Sequence, residues 1–185
     1  MTRQPFRLQP FPADDVPPGL SLEGFVNRLE GDLQLSYRLQ GAIERVALPE
    51  LAETPQRKDD LWRSTCLEFF LAEPGGQGYW EFNLSPSGHW NVYRFTGYRQ
   101  AMDPELAYTE LPFQVKGQRT SLTLDLSLPM PDAALADRPL EMAITAVLAI
   151  SSVSADQDDT CTYWALSHSG DQPDFHRRSD FRLRL

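Results

Sequence analysis

The sequence predicts an all-β fold, a single antiparallel β-sandwich of jelly-roll or immunoglobulin-like type with about ten strands. Short runs of alternating apolar and polar residues recur along the chain, separated by turn residues about every 8–12 positions. No stretch shows a convincing amphipathic helical pattern. The 15 prolines agree with this, because proline belongs in loops and edge strands. With 185 residues, the chain can bury a core without a disulfide or metal.

The predicted elements follow in chain order. Residues 1–20 are rich in proline and are expected to form an extended segment along the body of the domain, which spans residues 21–185. Loops are expected at 49–62 and 102–112, where prolines and charges interrupt the alternation. Strands are predicted in LEGFVNRL (22–29), DLQLSYRL (32–39), IERVALP (43–49), STCLEFFL (64–71), a hairpin over 79–96, FQVKG (113–117), TSLTLDLSLP (120–129), EMAITAVLAISSV (141–153), CTYWALSH (161–168) and DFRLRL (180–185).

The longest apolar stretch could form either a helix or a strand. EMAITAVLAISSV (141–153) has the length of a helix, but Ile, Thr, Val and Ser alternate through it, which favours a long buried strand. Its flanking charges leave it too short to cross a bilayer. We therefore expect no membrane-spanning segment.

The charge balance is acidic, with a net charge of −9. This charge opposes binding to nucleic acid and to anionic membrane surfaces, and it mainly favours solubility. The first residues contain no apolar run of the length that a secretory signal needs. We expect a cytoplasmic protein that binds neither nucleic acid nor membrane.

Cys66 and Cys161 are the two cysteines of the chain. Two cysteines do not form a disulfide framework, and without a secretory signal we expect both to be free, mostly buried thiols. A bridge between facing strands is the alternative.

The stretch YWEFNLSPSGHWNVYRFTGYR (79–99) predicts a hairpin. SPSG (85–88) suits a type I turn with Pro86 second and Gly88 fourth. If these four residues form the loop, Leu84 faces His89, and each facing pair further along shares a side of the sheet. One side would then be apolar, with Trp80, Phe82, Leu84, Tyr93 and Phe95, and the other mixed, with Tyr79, Glu81, Asn83, Trp90, Val92 and Arg94.

The mixed side of this hairpin has the composition of a sugar-binding surface. The C–H face of a pyranose packs on an aromatic ring, while its hydroxyls need hydrogen-bond donors and acceptors. A half-solvated sheet face with a Glu–Arg cross-strand pair has the same composition. The hairpin alone leaves both interpretations open.

Three stretches, DDLWRSTCLEFFL (59–71), YWEFNLSPSGHWNVYRF (79–95) and CTYWALSHSGDQPDFHRRSDFRLRL (161–185), resemble DOMON-like domains of the type 9 carbohydrate-binding-module kind. The resemblance covers roughly residues 20–185 and rests on loose patterns. It implies a jelly-roll-like sandwich. In sugar-binding members, two aromatic rings hold the end of a glycan, with a glutamate and an arginine at the rim.

The resemblance also implies a set of site residues. The family pattern has a tryptophan six residues before a glutamate, as Trp62 and Glu68 are here, and Arg94 lies in the strand of the rim arginine. A Pro-x-aromatic segment before the last strand supplies the second aromatic wall, and QPDFH (172–176) stands there with a phenylalanine in place of a tryptophan. The implied ligand-binding residues are Trp62, Glu68, Arg94, Gln172, Phe175 and His176. Glu68 stands between Leu67 and Phe69, so strand alternation places it on the side away from the core, where a solvated glutamate is the alternative.

Catalytic and metal-binding signatures are missing from the sequence. No serine lies in a nucleophile elbow, and the spacing of His168 and His176 matches no zinc site. DQDD (156–159) offers carboxylates and an amide that suit Ca²⁺, but it lacks the glycine and the closing glutamate of a helix–loop–helix site. We therefore expect no enzyme and no cofactor, with Ca²⁺ as the alternative.

Other DOMON branches bind haem through Met and His, and Met102 and His168 are the pair that this chain offers. The sequence as a whole favours a non-catalytic binding module for a carbohydrate or another small polar ligand. A haem or redox module and an interaction domain without a ligand are the alternatives.

Overall fold

Two antiparallel sheets face each other and enclose the apolar core, which confirms the predicted β-sandwich. The computed structural model describes residues 3–29, 32–129, 138–152 and 158–185. Within these ranges there are 13 strands, no α-helix, and short 3-10 turns at Ile43–Arg45, Leu61–Arg63 and Arg178–Asp180. The strands are β1 (Gln4–Arg7), β2 (Gln9–Pro10), β3 (Ser21–Leu29), β4 (Asp32–Gln40), β5 (Cys66–Ala72), β6 (Tyr79–Leu84), β7 (Trp90–Phe95), β8 (Asp103–Pro104), β9 (Phe113–Gln118), β10 (Ser121–Pro129), β11 (Glu141–Ile150), β12 (Thr160–Ala165) and β13 (Leu183–Arg184).

The two sheets differ in size. The five-stranded sheet has the order β1-β3-β4-β10-β9. The eight-stranded sheet has the order β2-β12-β11-β5-β6-β7-β8, and β13 pairs with the start of β11. Neighbouring strands within each sheet run antiparallel, so hairpins and longer crossovers suffice to connect them.

The core lies between the sheets and follows from the alternation of the sequence. In β10, every second residue is a leucine that points inward, and β4 supplies a matching row. From the eight-stranded sheet, β5 contributes Leu67, Phe69 and Leu71. The central strand β11 is buried along almost its whole length, because it is covered on both faces. The prediction of a strand in EMAITAVLAISSV is confirmed over Glu141–Ile150, and Val153 lies outside the described residues.

The hairpin of β6 and β7 has one more loop residue than the sequence analysis assumed. The Gly88 N–H donates to the Ser85 carbonyl at 2.9 Å, as the predicted turn requires. Gly88 has a φ of 91°, and His89 also stays in the loop before pairing begins. Leu84 therefore pairs with Trp90 instead of His89, and this shift of one residue exchanges the two faces of β7. On the core side lie Trp90, Val92 and Arg94, and on the outer side lie Asn91, Tyr93 and Phe95.

One predicted strand is wrong. IERVALP forms a 3-10 turn at Ile43–Arg45, followed by a single bridge between Val46 and Ile150. Ile43 and Val46 are both buried, so the apolar spacing reflects two anchors of a connection and not one side of a strand. The predicted loops at 49–62 and 102–112 contain no strand other than β8.

The proline-rich N-terminal segment contributes to both sheets. Its β1 pairs with β3 of the five-stranded sheet, and its β2 pairs with β12 of the eight-stranded sheet. Phe6, Leu8 and Phe11 are buried. The segment therefore supplies an edge strand to each of the two sheets.

Cys66 and Cys161 are free thiols in the structure. Cys66 is fully buried, whereas Cys161 is partly exposed, so the expectation of burial holds for Cys66 alone. Among the described residues, no helix has the length and apolar character that crossing a membrane requires.

Candidate ligand-binding site

A cavity of about 340 Å³ lies on the outer face of the eight-stranded sheet, away from the core. Its volume is at the lower end of the range of about 300–1,000 Å³ for small-molecule sites. The strands supply its floor with Glu68, Phe70, Glu81, Phe95, Val147 and Tyr163. Three loops supply its walls with Trp62, Arg99, Met102, Pro173, Phe175 and His176.

Glu68 reaches the floor of the cavity through the alternation of β5. Its neighbours Leu67 and Phe69 point into the core, so Glu68 points to the outer face, as the sequence predicts. It is not a solvated side chain, because the residue is only 2% exposed. Burial and the nearby carboxyl group of Glu81 raise the pKa of Glu68 well above its ordinary value. Its Oε1 accepts no hydrogen bond from any described residue.

Glu81 is the second buried carboxyl group of the floor. It lies on β6, the strand that neighbours β5, and the residue is 4% exposed. Asn83 Nδ2 donates to Glu81 Oε1 at 2.7 Å. Burial raises the pKa of Glu81 to about 7, although the hydrogen bond from Asn83 and the positive charge of Arg99 act in the opposite direction. The floor therefore holds two carboxyl groups that are poorly solvated when ionised.

His176 is held as a neutral imidazole beside Glu81. Its Nδ1 lies 2.8 Å from the hydroxyl of Tyr79, and the backbone N–H of Arg99 donates to the same hydroxyl oxygen at 3.1 Å. The Tyr79 proton is then free to donate to Nδ1, which leaves Nε2 protonated and 3.7 Å from Glu81 Oε2. Burial, followed by the charge of Arg99, lowers the pKa of His176 to about 4.

The loop that carries Trp62 is fastened to β7. The Asp59 carboxylate accepts hydrogen bonds from the Tyr93 hydroxyl at 2.6 Å and from Asn91 Nδ2 at 3.0 Å. Asp60 then turns the chain with a φ of 61°, which leads into the 3-10 turn that contains Trp62. The indole packs edge-on against the Tyr93 ring, with 5.9 Å between centroids. Trp62 is therefore a positioned side chain on the rim of the cavity.

Asp174 joins the two other loops. Its carboxylate accepts hydrogen bonds from the Tyr98 hydroxyl at 2.6 Å, from Arg99 Nη2 at 3.0 Å and from Arg177 Nε at 3.2 Å. It also accepts one from the backbone N–H of His176 at 3.2 Å. Burial alone would raise the pKa of Asp174, but the hydrogen bonds from Tyr98 and Arg99 outweigh it and lower the pKa. Asp174 is thus ionised at neutral pH and balances the charge of Arg99.

The structure brings four of the six predicted site residues to this cavity, namely Trp62, Glu68, Phe175 and His176. Arg94 is elsewhere, because the shift in hairpin register turns it to the core side, where its guanidinium lies 5.7 Å from the centroid of the Trp80 ring. Gln172 is exposed and does not line the cavity. The binding roles of these residues stay a prediction.

The set of site residues implied by the family resemblance omits Glu81, Arg99 and Tyr163, which also line the cavity. The signal for Glu81 was present, since alternation along β6 places it on the outer side with Tyr79. Arg99 lies in the loop after β7, where Arg99 and Ala101 have positive φ values of 52° and 51°. Strand alternation cannot place a residue in such a loop. The guanidinium at the cavity is thus that of Arg99 and not that of Arg94.

The structure does not assemble the predicted haem pair. Met102 lines the cavity, whereas His168 Nε2 lies 2.9 Å from the Gln9 carbonyl oxygen and its ring packs against Phe11.

The Ca²⁺ alternative falls partly outside the described residues, which omit Asp156 and Gln157. Asp159 Oδ1 accepts a hydrogen bond from the Ser152 N–H at 3.1 Å. Over the part of the chain that the structure describes, no three His, Cys, Asp or Glu side chains are arranged to hold a metal ion.

Comparison with known proteins supports the fold. No protein-family model and no curated protein matches the chain. A crystal structure of a Bacteroides uniformis ATCC 8492 protein, provisionally described as carbohydrate-binding, superimposes with a TM-score of 0.66 at 14% identity and covers 97% of this chain and 83% of that chain. A family 9 carbohydrate-binding module from Caldicellulosiruptor kristjanssonii, in complex with cellotriose, gives a TM-score of 0.45 at 10% identity and covers 80% of this chain and 67% of that chain.

At this identity, the first of these similarities shows the fold alone, and the second is too low to support an argument. This chain therefore shares an antiparallel β-sandwich fold with the protein from Bacteroides uniformis.

Proposed function

We propose that this chain is a non-catalytic binding module and that its ligand is a carbohydrate. The observation that carries the proposal is the composition of the cavity. Two aromatic side chains on separate loops, Trp62 and Phe175, line it together with buried carboxyl groups, an imidazole and a guanidinium.

This composition fits the two sides of a sugar. A pyranose presents C–H groups that pack on aromatic rings, and both Trp62 and Phe175 are partly exposed and available for such packing. Its hydroxyl groups both donate and accept hydrogen bonds, and the cavity offers the Glu68 oxygens as acceptors and the His176 Nε2–H as a donor. A cavity of about 340 Å³ suits a short saccharide better than a long chain.

Hydrogen bonds fix the loops that form the walls of the cavity in the absence of a ligand. Asp59 fastens the Trp62 loop to β7, and Asp174 joins the loops that carry Arg99 and Phe175. Preorganised walls reduce the entropy lost on binding. The protein of similar fold from Bacteroides uniformis, with its provisional description as carbohydrate-binding, agrees with this proposal.

A calorimetric titration against a panel of mono- and disaccharides tests the proposal. At least one sugar should bind, and Trp62→Ala should remove that binding while circular dichroism still reports a folded β-protein. The bound sugar should be recovered unchanged, since the module is not an enzyme. Binding that survives Trp62→Ala, or a panel without any binder, would overturn the proposal.

A further inference from the structure

The floor of the cavity holds two buried carboxyl groups, and no cationic side chain among the described residues forms an ion pair with either of them at neutral pH. Glu68 and Glu81 lie on neighbouring strands and influence each other's ionisation. Glu68 Oε1 is buried and has no hydrogen-bond partner among the described residues. A buried acceptor without a donor destabilises the unliganded protein, so a hydrogen-bond donor supplied by a ligand would be favoured there.

The basic groups at the cavity form no ion pair with these carboxyl groups at neutral pH. Arg99 forms an ion pair with Asp174 at 3.0 Å, so the two together are neutral. His176 has a pKa lowered to about 4 and is uncharged at neutral pH. The hydrogen bond that Glu81 Oε1 accepts from Asn83 brings no charge.

The remaining lining also favours a cation. Trp62, Phe175 and Tyr163 are partly exposed aromatic residues, and the faces of such rings attract ammonium groups. An ammonium group has three donors and no acceptor, which suits the Glu68 oxygen that lacks a donor. The net charge of −9 for the whole chain would also draw cations toward the protein.

We infer that the ligand is an amino sugar with a free, protonated amino group, and that Glu68 and Glu81 hold its ammonium on the floor of the cavity. This inference rests on the proposed function and narrows it to one class of sugar, since a neutral sugar has no positive charge to pair with the two carboxyl groups.

The inference has a pH dependence, because the carboxyl groups must ionise to hold a cation. The groups around Glu68 are the Cys66 thiol and the Thr145 hydroxyl, with Glu81 on the next strand. Glu81 itself is influenced by Asn83 and Arg99. The pKa of Glu81, raised to about 7, predicts that an amine binds better as the pH rises from 5.5 to 7, because a larger fraction of this carboxyl group is then ionised.

His176 also faces Glu81, at 3.7 Å, and is neutral across this range. Tyr79 and Tyr163 near the cavity have raised pKa values, first of all because of burial, and stay protonated. The carboxyl groups are therefore the source of the expected pH dependence.

Three sugars with the same ring separate the charge from the rest of the ligand. Calorimetry at pH 7 compares D-glucosamine, N-acetyl-D-glucosamine and D-glucose. Glucosamine is expected to bind at least about tenfold more tightly than the two neutral sugars, and this preference should shrink at pH 5.5. Glu68→Gln and Glu81→Gln keep the shape of the side chains and should each reduce the preference, while weak binding of glucose remains.

The outcomes separate the two proposals. Equal binding of the three sugars, or an unchanged preference in both glutamine variants, would overturn the amino-sugar inference and leave the carbohydrate module intact. If none of the three sugars nor any other member of the panel binds, both proposals fail. Trp62→Ala should remove binding of all three sugars, which shows that the same cavity is measured.

Discussion

The inner and outer faces of β5 and β6 are buried to a similar degree, but only the outer face carries carboxyl groups among its apolar side chains. On the inner face, Phe69 stacks on Phe82 with 4.3 Å between ring centroids, and both are completely buried. On the outer face, Glu68 and Glu81 are almost as deeply buried. One face holds the core together, whereas the other holds groups that lose hydration on folding.

This difference separates stability from function. Apolar burial on the inner face stabilises the fold by about 25 cal/mol per Å² of apolar surface. Buried carboxyl groups with an unpartnered oxygen destabilise it, because desolvation disfavours their ionised forms. Groups that cost stability and line a cavity are candidates for ligand contacts. Mutations on the inner face should therefore change stability, and mutations on the outer face should change ligand binding.

The largest expected effect is on the inner face. Phe82→Ala removes a ring that stacks on Phe69 and contacts Tyr108 edge-on. It should lower the free energy of unfolding by about 3–5 kcal/mol, measured by denaturant titration. Trp62→Ala on the outer side should cost only about 1 kcal/mol, the scale of one aromatic contact, and remove ligand binding. A cost for Trp62→Ala as large as that for Phe82→Ala would place Trp62 in the core and contradict the account.

The second prediction concerns pH and Glu81. Its pKa is raised to about 7 by burial, so the folded chain holds a proton that the unfolded chain loses above pH 4.5. The contribution of Glu81 to stability therefore falls as the pH rises from about 4.5 to about 7. Glu81→Gln removes this pH dependence. The difference in free energy of unfolding between variant and wild type should therefore change in favour of the variant by about 1–3 kcal/mol as the pH rises from 5 to 8.

Over the same pH range, His176 changes stability in the opposite direction to Glu81. His176 has a pKa lowered to about 4, so its contribution to stability rises from about pH 4 to its ordinary value of 6.5. Because His176 is present in both proteins, its contribution largely cancels in the difference between wild type and variant. A difference that does not change with pH would show that Glu81 is not desolvated.

The third prediction concerns the joint between the loops. Asp174→Asn weakens the hydrogen bonds from Arg99 and Arg177, both of which are partly exposed. Solvent screening limits the expected loss of stability to about 1 kcal/mol. The affinity for the ligand should fall roughly tenfold, because Phe175 and Arg99 lose their fixed positions. Calorimetric titration beside thermal unfolding measures both, and unchanged affinity would argue against positioning by Asp174.

The smallest effect on stability is expected for a matched pair of arginines. Arg94→Ala and Arg99→Ala each remove one largely exposed guanidinium and should change the free energy of unfolding by about 0.5–1 kcal/mol or less. Only Arg99→Ala should change ligand affinity, since only Arg99 lines the cavity. An affinity loss for Arg94→Ala alone would restore the sequence-based assignment of the rim arginine.

These two arginines also show what the sequence could predict. The alternation of apolar and polar residues correctly predicted the long strand β11 and the outer-face direction of Glu68. Successive side chains of a regular strand point to opposite faces, so the sequence alone determines which side chains share a face. The alternation failed at β7, because one glycine in the left-handed region lengthened the hairpin loop and reversed the faces. Arg99 could not be placed, since loop geometry depends on tertiary partners such as Asp174.

The positions of Trp62 and Phe175 were predicted from a family resemblance and not from the alternation of side chains along a strand. Both residues lie in loops beside regular strands. The loop of Trp62 is held by the Asp59 carboxylate and the loop of Phe175 by the Asp174 carboxylate, and the sequence singles out neither carboxylate. A tertiary hydrogen bond between distant segments leaves no periodic signal in the sequence.

The central claim is that a carbohydrate binds in the outer-face cavity beside Trp62, and the four tryptophans of the chain test it directly. Trp80, Trp90 and Trp164 pack on the core side, so Trp62 is the tryptophan at the cavity. Titration with the tightest-binding sugar of the panel, followed by ¹H–¹⁵N correlation spectra, should move the indole signal of Trp62 and leave the other three in place. Binding that moves a core-side indole while the Trp62 signal stays fixed would contradict the account.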